Sequence, residues 1–277
     1  MSAVVRANGT STSAESRPVT VPDFQAARAR GQRLTVLTAY DYTMARLLDA
    51  AGVDCLLVGD SLGMVVQGQP DSLAVTLDEM IYHTRLVVRG ARRSLVVADL
   101  PFMTYQISPQ QALENAGRMI QQSGAHAVKL EGGVRSARAV EAITGADIPL
   151  MGHIGLTPQS VRRLGGFKVQ RDAARLLDDA LAIEAAGAFS LVIECVPADL
   201  GARITEAVKI PTIGIGAGPH CSGQVLVTPD LLGMFDELRP RFVKQYADLG
   251  QAIREAASNY CHEVREGAFP GPEHGFR

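Results

Sequence analysis

The amino-acid sequence predicts a (β/α)8 barrel. Eight short apolar segments alternate with longer amphipathic segments along its 277 residues. Such alternation is typical of α/β proteins, in which helices cover both faces of a parallel sheet. Ionisable residues also recur at the carboxyl ends of the apolar segments, where barrels of this kind carry their chemistry. A doubly wound open sheet is the alternative that the same alternation allows.

Each predicted strand is a short run of mostly aliphatic residues, as expected for a strand buried on both faces. The segments between the strands are long enough to hold the helix that a parallel connection requires. In chain order the predicted strands cover residues 34–40, 54–60, 94–100, 126–131, 148–154, 189–195, 211–217 and 223–228.

The predicted helices carry start and stop signals. The start signals are a capping-box spacing or a Thr-Pro pair, and they lie at Thr76, Ser108, Thr157 and Thr228. The stop signals are glycines, at Gly52, Gly124, Gly145 and Gly187. Residues 240–266 are predicted to form one long closing helix or a pair of helices.

A single barrel domain is predicted for residues 21–277, because no shift in composition marks a second domain. Residues 1–20 are rich in Ser, Thr and Ala and show no periodicity. We therefore predict that residues 1–20 are a disordered lead-in to the barrel.

The composition argues against several classes of partner. The net charge is -2 and no basic run occurs, which disfavours nucleic acid. No apolar stretch is long enough to cross a bilayer, and the first twenty residues lack the apolar core of a signal peptide. The four cysteines form no Cys-x-x-Cys pair, which is typical of a reducing compartment. We expect a cytoplasmic protein that binds neither nucleic acid nor membrane.

Polar residues gather at the carboxyl ends of the predicted strands. A charged group at the end of an apolar run is costly unless it is paired or binds a metal ion. Because all strand ends meet at one mouth of a barrel, a shared site is favoured over separate solvated ends. The candidate residues are Tyr40, Asp41, Asp60, Ser61, Asp99, Lys129, Glu131, His153 and Glu194.

Alternation along the fourth strand places Lys129 and Glu131 on the same side. If Val128 and Leu130 pack against the helices, the two charged residues face the barrel interior. A structural ion pair is the alternative, although a buried pair is often not stabilising overall.

Asp60, Asp99 and Glu131 together would form an all-oxygen anionic cluster. Converging carboxylates raise one another's pKa, and a hard divalent cation removes that conflict. Mg²⁺ prefers oxygen ligands and often binds through only one or two carboxylates, so one of the three is free to act through water. Since the chain has no zinc-type cluster of cysteines and histidines, Mg²⁺ is predicted over Zn²⁺.

The segment Gly59-Asp60-Ser61-Leu62 also resembles the motif of the GDSL hydrolases, whose serine is a nucleophile. That family places its base histidine in a late Asp-x-x-His motif, which this chain lacks. Ser61 therefore has no recognisable activating base. We interpret Asp60, rather than Ser61, as the residue that carries the chemistry.

Several sequence blocks stand in the order typical of one enzyme family. They are LTAYDYTMA from Leu37, LLVGDSLGMVVQG from Leu56, ADLPFMTY from Ala98, VKLEGG from Val128, GHIGLTPQS from Gly152, IEC from Ile193 with Val196-Pro197, and IGIGAG from Ile213. On these blocks, from about residue 20 to the C-terminus, the chain resembles the ketopantoate hydroxymethyltransferases.

The resemblance implies a (β/α)8 barrel of the phosphoenolpyruvate/pyruvate superfamily. It implies transfer of a hydroxymethyl group from 5,10-methylenetetrahydrofolate to 3-methyl-2-oxobutanoate through a Mg²⁺-stabilised enolate. The implied product is 2-dehydropantoate, on the route to pantothenate and coenzyme A. A homo-oligomer is implied as well, because bacterial members are decamers.

The resemblance also assigns roles to the candidate residues. The implied Mg²⁺ ligands are Asp60, Asp99 and Glu131. The residues implied to hold the oxo acid are Asp60, Ser61, Asp99 and Lys129. Glu194 is the implied proton acceptor, whereas His153 either lines the pocket or is a satisfied core histidine.

Two positions depart from the family's usual pattern. Arg171 stands where a glycine usually follows Lys-Val-Gln, and Ser222 stands where an acidic residue is common. Both bear on loops and folate contacts rather than on the reaction. Two other functions fit the residues: a lyase or mutase that acts on 2-oxo acids without folate, and a barrel that binds without catalysing.

Overall fold

The computed structural model describes residues 17–235 and 240–276. Its strands form a closed barrel, in which each strand pairs in parallel with the next and β8 pairs with β1. The predicted (β/α)8 fold is confirmed. The strands are β1 Leu34–Thr38, β2 Cys55–Val58, β3 Leu95–Asp99, β4 Ala127–Glu131, β5 Leu150–Gly155, β6 Ser190–Glu194, β7 Thr212–Ile215 and β8 Gly223–Leu226.

All eight predicted strands are present, but most end one or two residues before their apolar runs do. β1 ends at Thr38 and β2 ends at Val58. Tyr40 and Asp60 therefore lie just beyond their strands, in the loops over the mouth of the barrel. These loops lead into the helices that pack outside the strands.

The helices alternate with the strands. They are α1 Val21–Ala29, α2 Tyr42–Ala50, α3 Leu62–Val65, α4 Leu77–Gly90, α5 Pro109–Ser123, α6 Ala137–Thr144, α7 Val161–Leu164, α8 Ala173–Ala185, α9 Ala198–Ala207, α10 Thr228–Leu231 and α11 Leu249–Arg265. Thr76 and Glu79 form the predicted capping box at the start of α4. Gly124 ends α5 with a φ of 78°, a conformation that a glycine adopts without strain.

At two of the predicted helix starts a helical turn begins as expected, but the threonine hydroxyl does not cap it. The hydroxyl of Thr228 does not cap α10; it donates to the carbonyl of Thr38 at 2.6 Å and so ties the end of β8 to β1. The side chain of Thr157 makes no capping hydrogen bond either. In both places the Thr-Pro pair begins only one short turn of helix, and a single turn leaves little for a cap to stabilise.

Alternate strand residues face two different cores. The outward-facing residues pack in the layer between strands and helices, which includes Val128 and Leu130. The inward-facing residues fill the barrel, and this inner core includes Ala127. Lys129 and Glu131 follow Ala127 at two-residue intervals, so both continue the inward row. The predicted alternation along this strand is therefore correct.

Helix α1 closes the amino end of the barrel. Phe24 on this helix is completely buried and belongs to the inner core. Its ring packs edge to face on Phe189, just before β6, with centroids 5.8 Å apart. Residues 1–16 of the predicted lead-in lie outside the described residues. The backbone N–H of Val19, which precedes the helix, donates to the carbonyl of Arg93 at 2.7 Å.

The prediction for residues 240–266 is only half correct. Helix α11 covers Leu249–Arg265, but residues 240–248 form no helix. No residue of α11 is buried, although Ile253 and Tyr260 are large and apolar. Among the described helices, none combines the length and the apolar character that a membrane crossing requires.

Candidate active site

The strand register brings the predicted polar residues together inside the carboxyl end of the barrel. Asp99 of β3 lies opposite Lys129 of β4, and Glu131 of β4 lies opposite His153 of β5. Each of these four side chains is buried. Glu194, at the end of β6, remains 16% exposed and lies nearer the solvent.

Lys129 and Asp99 form a buried ion pair. The Lys129 ammonium donates to Asp99 Oδ1 at 2.5 Å, and the backbone N–H of Asp60 donates to Asp99 Oδ2 at 3.1 Å. Burial alone lowers the pKa of Lys129, but the neighbouring carboxylates, Asp99 first, outweigh it and raise that pKa. Lys129 is therefore a fixed cation at the centre of the site.

His153 lies between two carboxylates. Its Nδ1 is 3.5 Å from Glu131 Oε1, and its Nε2 is 3.2 Å from Glu194 Oε2. Neither ring nitrogen has a well-aligned hydrogen bond, so these contacts are ionic rather than directional. Burial lowers the pKa of His153, but the two carboxylates raise it to about 9 overall. His153 is thus part of the site, and of the two predicted alternatives the pocket-lining one fits it better than a satisfied core histidine.

Asp60 is buried beside other anions. Burial first, and then the charges of Asp99 and Glu131, raise the pKa of Asp60 to about 8. Its Oδ2 accepts a hydrogen bond from the Gln159 amide at 2.9 Å. A divalent cation beside Asp60 would oppose this rise and favour the ionised carboxylate.

Gln159 is a site residue that the sequence analysis missed. Its backbone N–H donates to Glu131 Oε2 at 3.0 Å, while its side-chain amide donates to Asp60. Its Oε1 accepts from the Tyr105 hydroxyl at 2.7 Å and from the Gln106 amide at 3.0 Å. Gln159 lies in a single helical turn and is neutral, so it carries no charge signal, and only its contacts reveal that it joins two of the acidic side chains.

If Asp60 and Glu131 hold Mg²⁺ as the family resemblance implies, Gln159→Leu is expected to weaken Mg²⁺ binding by about 10- to 100-fold, the usual cost of removing a hydrogen bond that orients a metal ligand. Calorimetric titration with Mg²⁺ measures this effect without reference to turnover. Gln106→Leu is the matched control, because Gln106 contacts Gln159 but no carboxylate. Equal Mg²⁺ affinity in Gln159→Leu and the wild type would contradict a positioning role for Gln159.

Ser61 is hydrogen-bonded to a tyrosine, not to a base. Its Oγ lies 2.9 Å from the hydroxyl of Tyr40, which is buried. Burial raises the pKa of Tyr40 well above its usual value, so this phenol cannot activate a serine near neutral pH. The predicted substrate contact of Ser61 stays a prediction. Asp41, by contrast, caps α2 through the N–H of Met44 and is not part of the site.

Ser61→Ala is therefore expected to leave a working enzyme. Loss of one hydrogen bond should raise the KM for the substrate by about tenfold, with a smaller change in kcat. Ser72→Ala is a suitable control, because the buried hydroxyl of Ser72 has no hydrogen-bond partner among the described residues. Complete loss of activity in Ser61→Ala would restore the nucleophile hypothesis.

The donor set suits a divalent cation, although no ion-binding group is preformed. Among the described residues, no three His, Cys, Asp or Glu side chains converge tightly enough to hold an ion. When all groups are ionised, four carboxylates face two cations, which leaves two negative charges; the groups are Asp60, Asp99, Glu131, Glu194, Lys129 and His153. Mg²⁺ balances this charge and commonly needs only one or two carboxylates, with waters and substrate oxygens completing its shell.

A glycine at the end of β5 allows the sixth strand to come close. Gly155 has a φ of 96°, and a Cβ there would lie 2.2 Å from the carbonyl oxygen of Glu194. Any larger residue would push the end of β6 away. Gly155 therefore sets the distance between His153 and Glu194.

Solved structures similar to this closed barrel include a member of the phosphoenolpyruvate mutase/isocitrate lyase superfamily. Phosphonopyruvate hydrolase, solved with oxalate and Mg²⁺, matches with a TM-score of 0.62 and 14% identity, over 92% of this chain and 93% of that one. 2,3-Dimethylmalate lyase, a member of that superfamily, matches with a TM-score of 0.60 and 17% identity, over 93% and 91%. Sequence identities this low show only that the fold is similar.

Sequence similarity defines the family. The family model for ketopantoate hydroxymethyltransferase matches residues 18–272. The 3-methyl-2-oxobutanoate hydroxymethyltransferase of Heliobacterium modesticaldum is 57% identical over 265 residues, which cover 94% of this chain and 96% of that protein. The enzyme of the same name from Pelobacter propionicus is 54% identical over 263 residues, or 94% and 98%. This chain belongs to the ketopantoate hydroxymethyltransferase family and is a transferase, which confirms the resemblance.

Proposed function

We propose that this protein transfers a hydroxymethyl group from 5,10-methylenetetrahydrofolate to 3-methyl-2-oxobutanoate and so serves pantothenate synthesis. The observation that carries the proposal is the inward-facing set of acids around Lys129, in a member of this family. The set offers a fixed cation for an anionic oxo acid and carboxylates for a divalent metal. It also supplies a partly exposed carboxylate, Glu194, for proton transfer.

The oxo acid and the metal would share the centre of the barrel. The residues that would hold Mg²⁺ are Asp60, Asp99 and Glu131. Each would contact the ion either directly or through a bound water. When bound, Mg²⁺ supplies Lewis acidity that draws charge onto the 2-oxo oxygen and makes the C3 proton acidic. Lys129 and Ser61 would hold substrate oxygens and so fix the orientation of C3.

Glu194 is the proposed general base. Its carboxylate would take the proton from C3, while the neighbouring imidazolium of His153 keeps that carboxylate oriented. The one-carbon unit is bound to two folate nitrogens, and both carbon–nitrogen bonds break. C3 forms a bond to this carbon in place of one nitrogen, and water adds a hydroxyl in place of the other. The two nitrogens gain one proton from that water and one from solvent, which balances the C3 proton that Glu194 takes. The proton on Glu194 leaves to solvent, because this side chain is the most exposed acid of the set.

The deciding experiment is an assay of 2-dehydropantoate formation with and without methylenetetrahydrofolate and Mg²⁺. We expect product only when both are present. Turnover of 2-oxo acids without folate would overturn the proposal and favour a lyase or mutase. A chain that binds the oxo acid but makes no product under any condition would favour a non-catalytic barrel.

We also propose that the protein is a homo-oligomer, as the family resemblance implies. Helix α11 is amphipathic and has no buried residue in the isolated chain, and its exposed apolar side chains include Ile253 and Tyr260. A second copy of the chain is the occupant that would cover this face. Light scattering on the purified protein measures its mass directly, and a monomer would contradict the proposal. The cytoplasmic location stays a prediction from the cysteine pattern.

A further inference from the structure

A cavity adjoins the candidate active site at Glu131 and Gln159, and the proposed reaction does not use it. It has a volume of about 350 Å³, which is within the usual range for small-molecule pockets. We call it the arginine cavity. Its walls include Phe102, Ile107, Glu131, Arg135, Arg138 and Gln159. Because Glu131 and Gln159 also belong to the site, the cavity begins at the place where the oxo acid would react.

The two arginines of this cavity are free to bind a ligand. Arg138 is exposed and makes no hydrogen bond or ion pair with a described residue. Arg135 is also exposed, and its guanidinium donates only to the hydroxyl of Ser160, at 3.0 Å. Glu131, on the inner wall, is already engaged by Gln159 and His153. The outer part of the cavity therefore presents two guanidinium groups without a carboxylate partner.

A larger cavity of about 600 Å³ shares Arg135 with the arginine cavity and also contains Arg163, which is exposed and makes no hydrogen bond or ion pair with a described residue. Its Arg175, by contrast, is paired with Asp172 and Asp179. It is also lined by none of the acids that face the barrel interior. A folate bound in the larger cavity would have no direct access to the reacting carbon. The arginine cavity is therefore the better candidate for a folate site.

We propose that the arginine cavity binds the p-aminobenzoyl-glutamate tail of the folate co-substrate. The tail carboxylates would lie against Arg135 and Arg138, which bind carboxylates in a bidentate manner. The aromatic ring would pack on the apolar side chains of Phe102 and Ile107, and the one-carbon unit would then point towards the site. This inference rests on the proposed function and adds the position of the second substrate.

The test measures folate binding directly. Tetrahydrofolate monoglutamate is titrated calorimetrically into wild-type enzyme and into Arg135→Gln, Arg138→Gln and the double variant. Loss of a charge-assisted contact predicts a Kd about tenfold higher for each single variant, and a larger increase for the double variant. The KM for the oxo acid and the exchange of its C3 proton should not change. Arg46→Gln, an exposed arginine of α2, is the matched control and should bind as the wild type does.

A second measurement separates the tail from the rest of the folate. p-Aminobenzoyl-glutamate should compete with tetrahydrofolate in the wild type and lose this ability in the double variant, whereas p-aminobenzoate should compete in neither. Unchanged Kd values in both arginine variants would overturn the inference, while wild-type turnover of methylenetetrahydrofolate would leave the proposed function intact. If the wild type makes no product from methylenetetrahydrofolate, the proposed function fails and the inference fails with it.

Discussion

Replacing Asp99 with asparagine is expected to lower kcat/KM by about 10²- to 10³-fold and to weaken Mg²⁺ binding. The substitution removes a proposed metal ligand and also leaves Lys129 as a buried cation without its partner. Breaking one side of a buried ion pair costs about 3–5 kcal/mol, so the free energy of unfolding should fall as well. Mg²⁺ titration and chemical denaturation measure the two effects separately.

A double variant distinguishes loss of the ligand from loss of stability. Asp99→Asn combined with Lys129→Met removes both charges, and replacing a whole buried pair by apolar groups is often close to neutral. We expect the double variant to regain most of the stability but neither Mg²⁺ binding nor activity. If Asp99→Asn alone binds Mg²⁺ as tightly as the wild type, Asp99 is not a metal ligand.

Replacing Glu194 with glutamine is expected to lower kcat by about 10²- to 10⁴-fold, the usual contribution of a general base. The amide keeps the size of the side chain but cannot accept the proton from C3. Exchange of that proton for deuterium, followed by NMR with Mg²⁺ present and folate absent, should slow to a similar extent. The Mg²⁺ affinity should stay close to that of the wild type, because Glu194 is not a proposed ligand.

Glu206→Gln is a control for this variant, since Glu206 is exposed on α9 outside the barrel. It should exchange the C3 proton at the wild-type rate. Fast exchange in Glu194→Gln would show that another group takes the proton. The contact between Glu194 and His153 would then have a structural rather than a catalytic purpose.

The fold could be predicted because buried strands have a recognisable pattern in the sequence. Strands covered on both faces become uninterrupted apolar runs, and the first polar residue after each run marks the mouth of the barrel. Asp99 at the end of β3, and Lys129 and Glu194 within β4 and β6, lie on the strands where the prediction expected them. The inward orientation of the Lys129 side chain follows from the alternation of side chains along a strand.

Other features could not be predicted because they depend on contacts between distant segments. Gln159 follows β5 by several residues, and its partner Asp60 is 99 positions away in the sequence. The Thr-Pro pair at Thr228 does begin a helical turn. Its hydroxyl, however, donates a hydrogen bond to the carbonyl of Thr38 in β1 instead of capping that turn. The sequence predicted a helix within residues 240–266, but it did not predict that every residue of α11 would be partly or fully exposed.

Helix α1 covers the amino end of the barrel, where Phe24 and Phe189 belong to the packed inner core. Under the proposed function, both substrates would therefore enter from the carboxyl end. The oxo acid would bind at the centre of the barrel, beneath the folate, so it would have to bind before the folate, and the product would leave after it. The architecture therefore predicts an ordered kinetic mechanism, in which the folate binds second and leaves first.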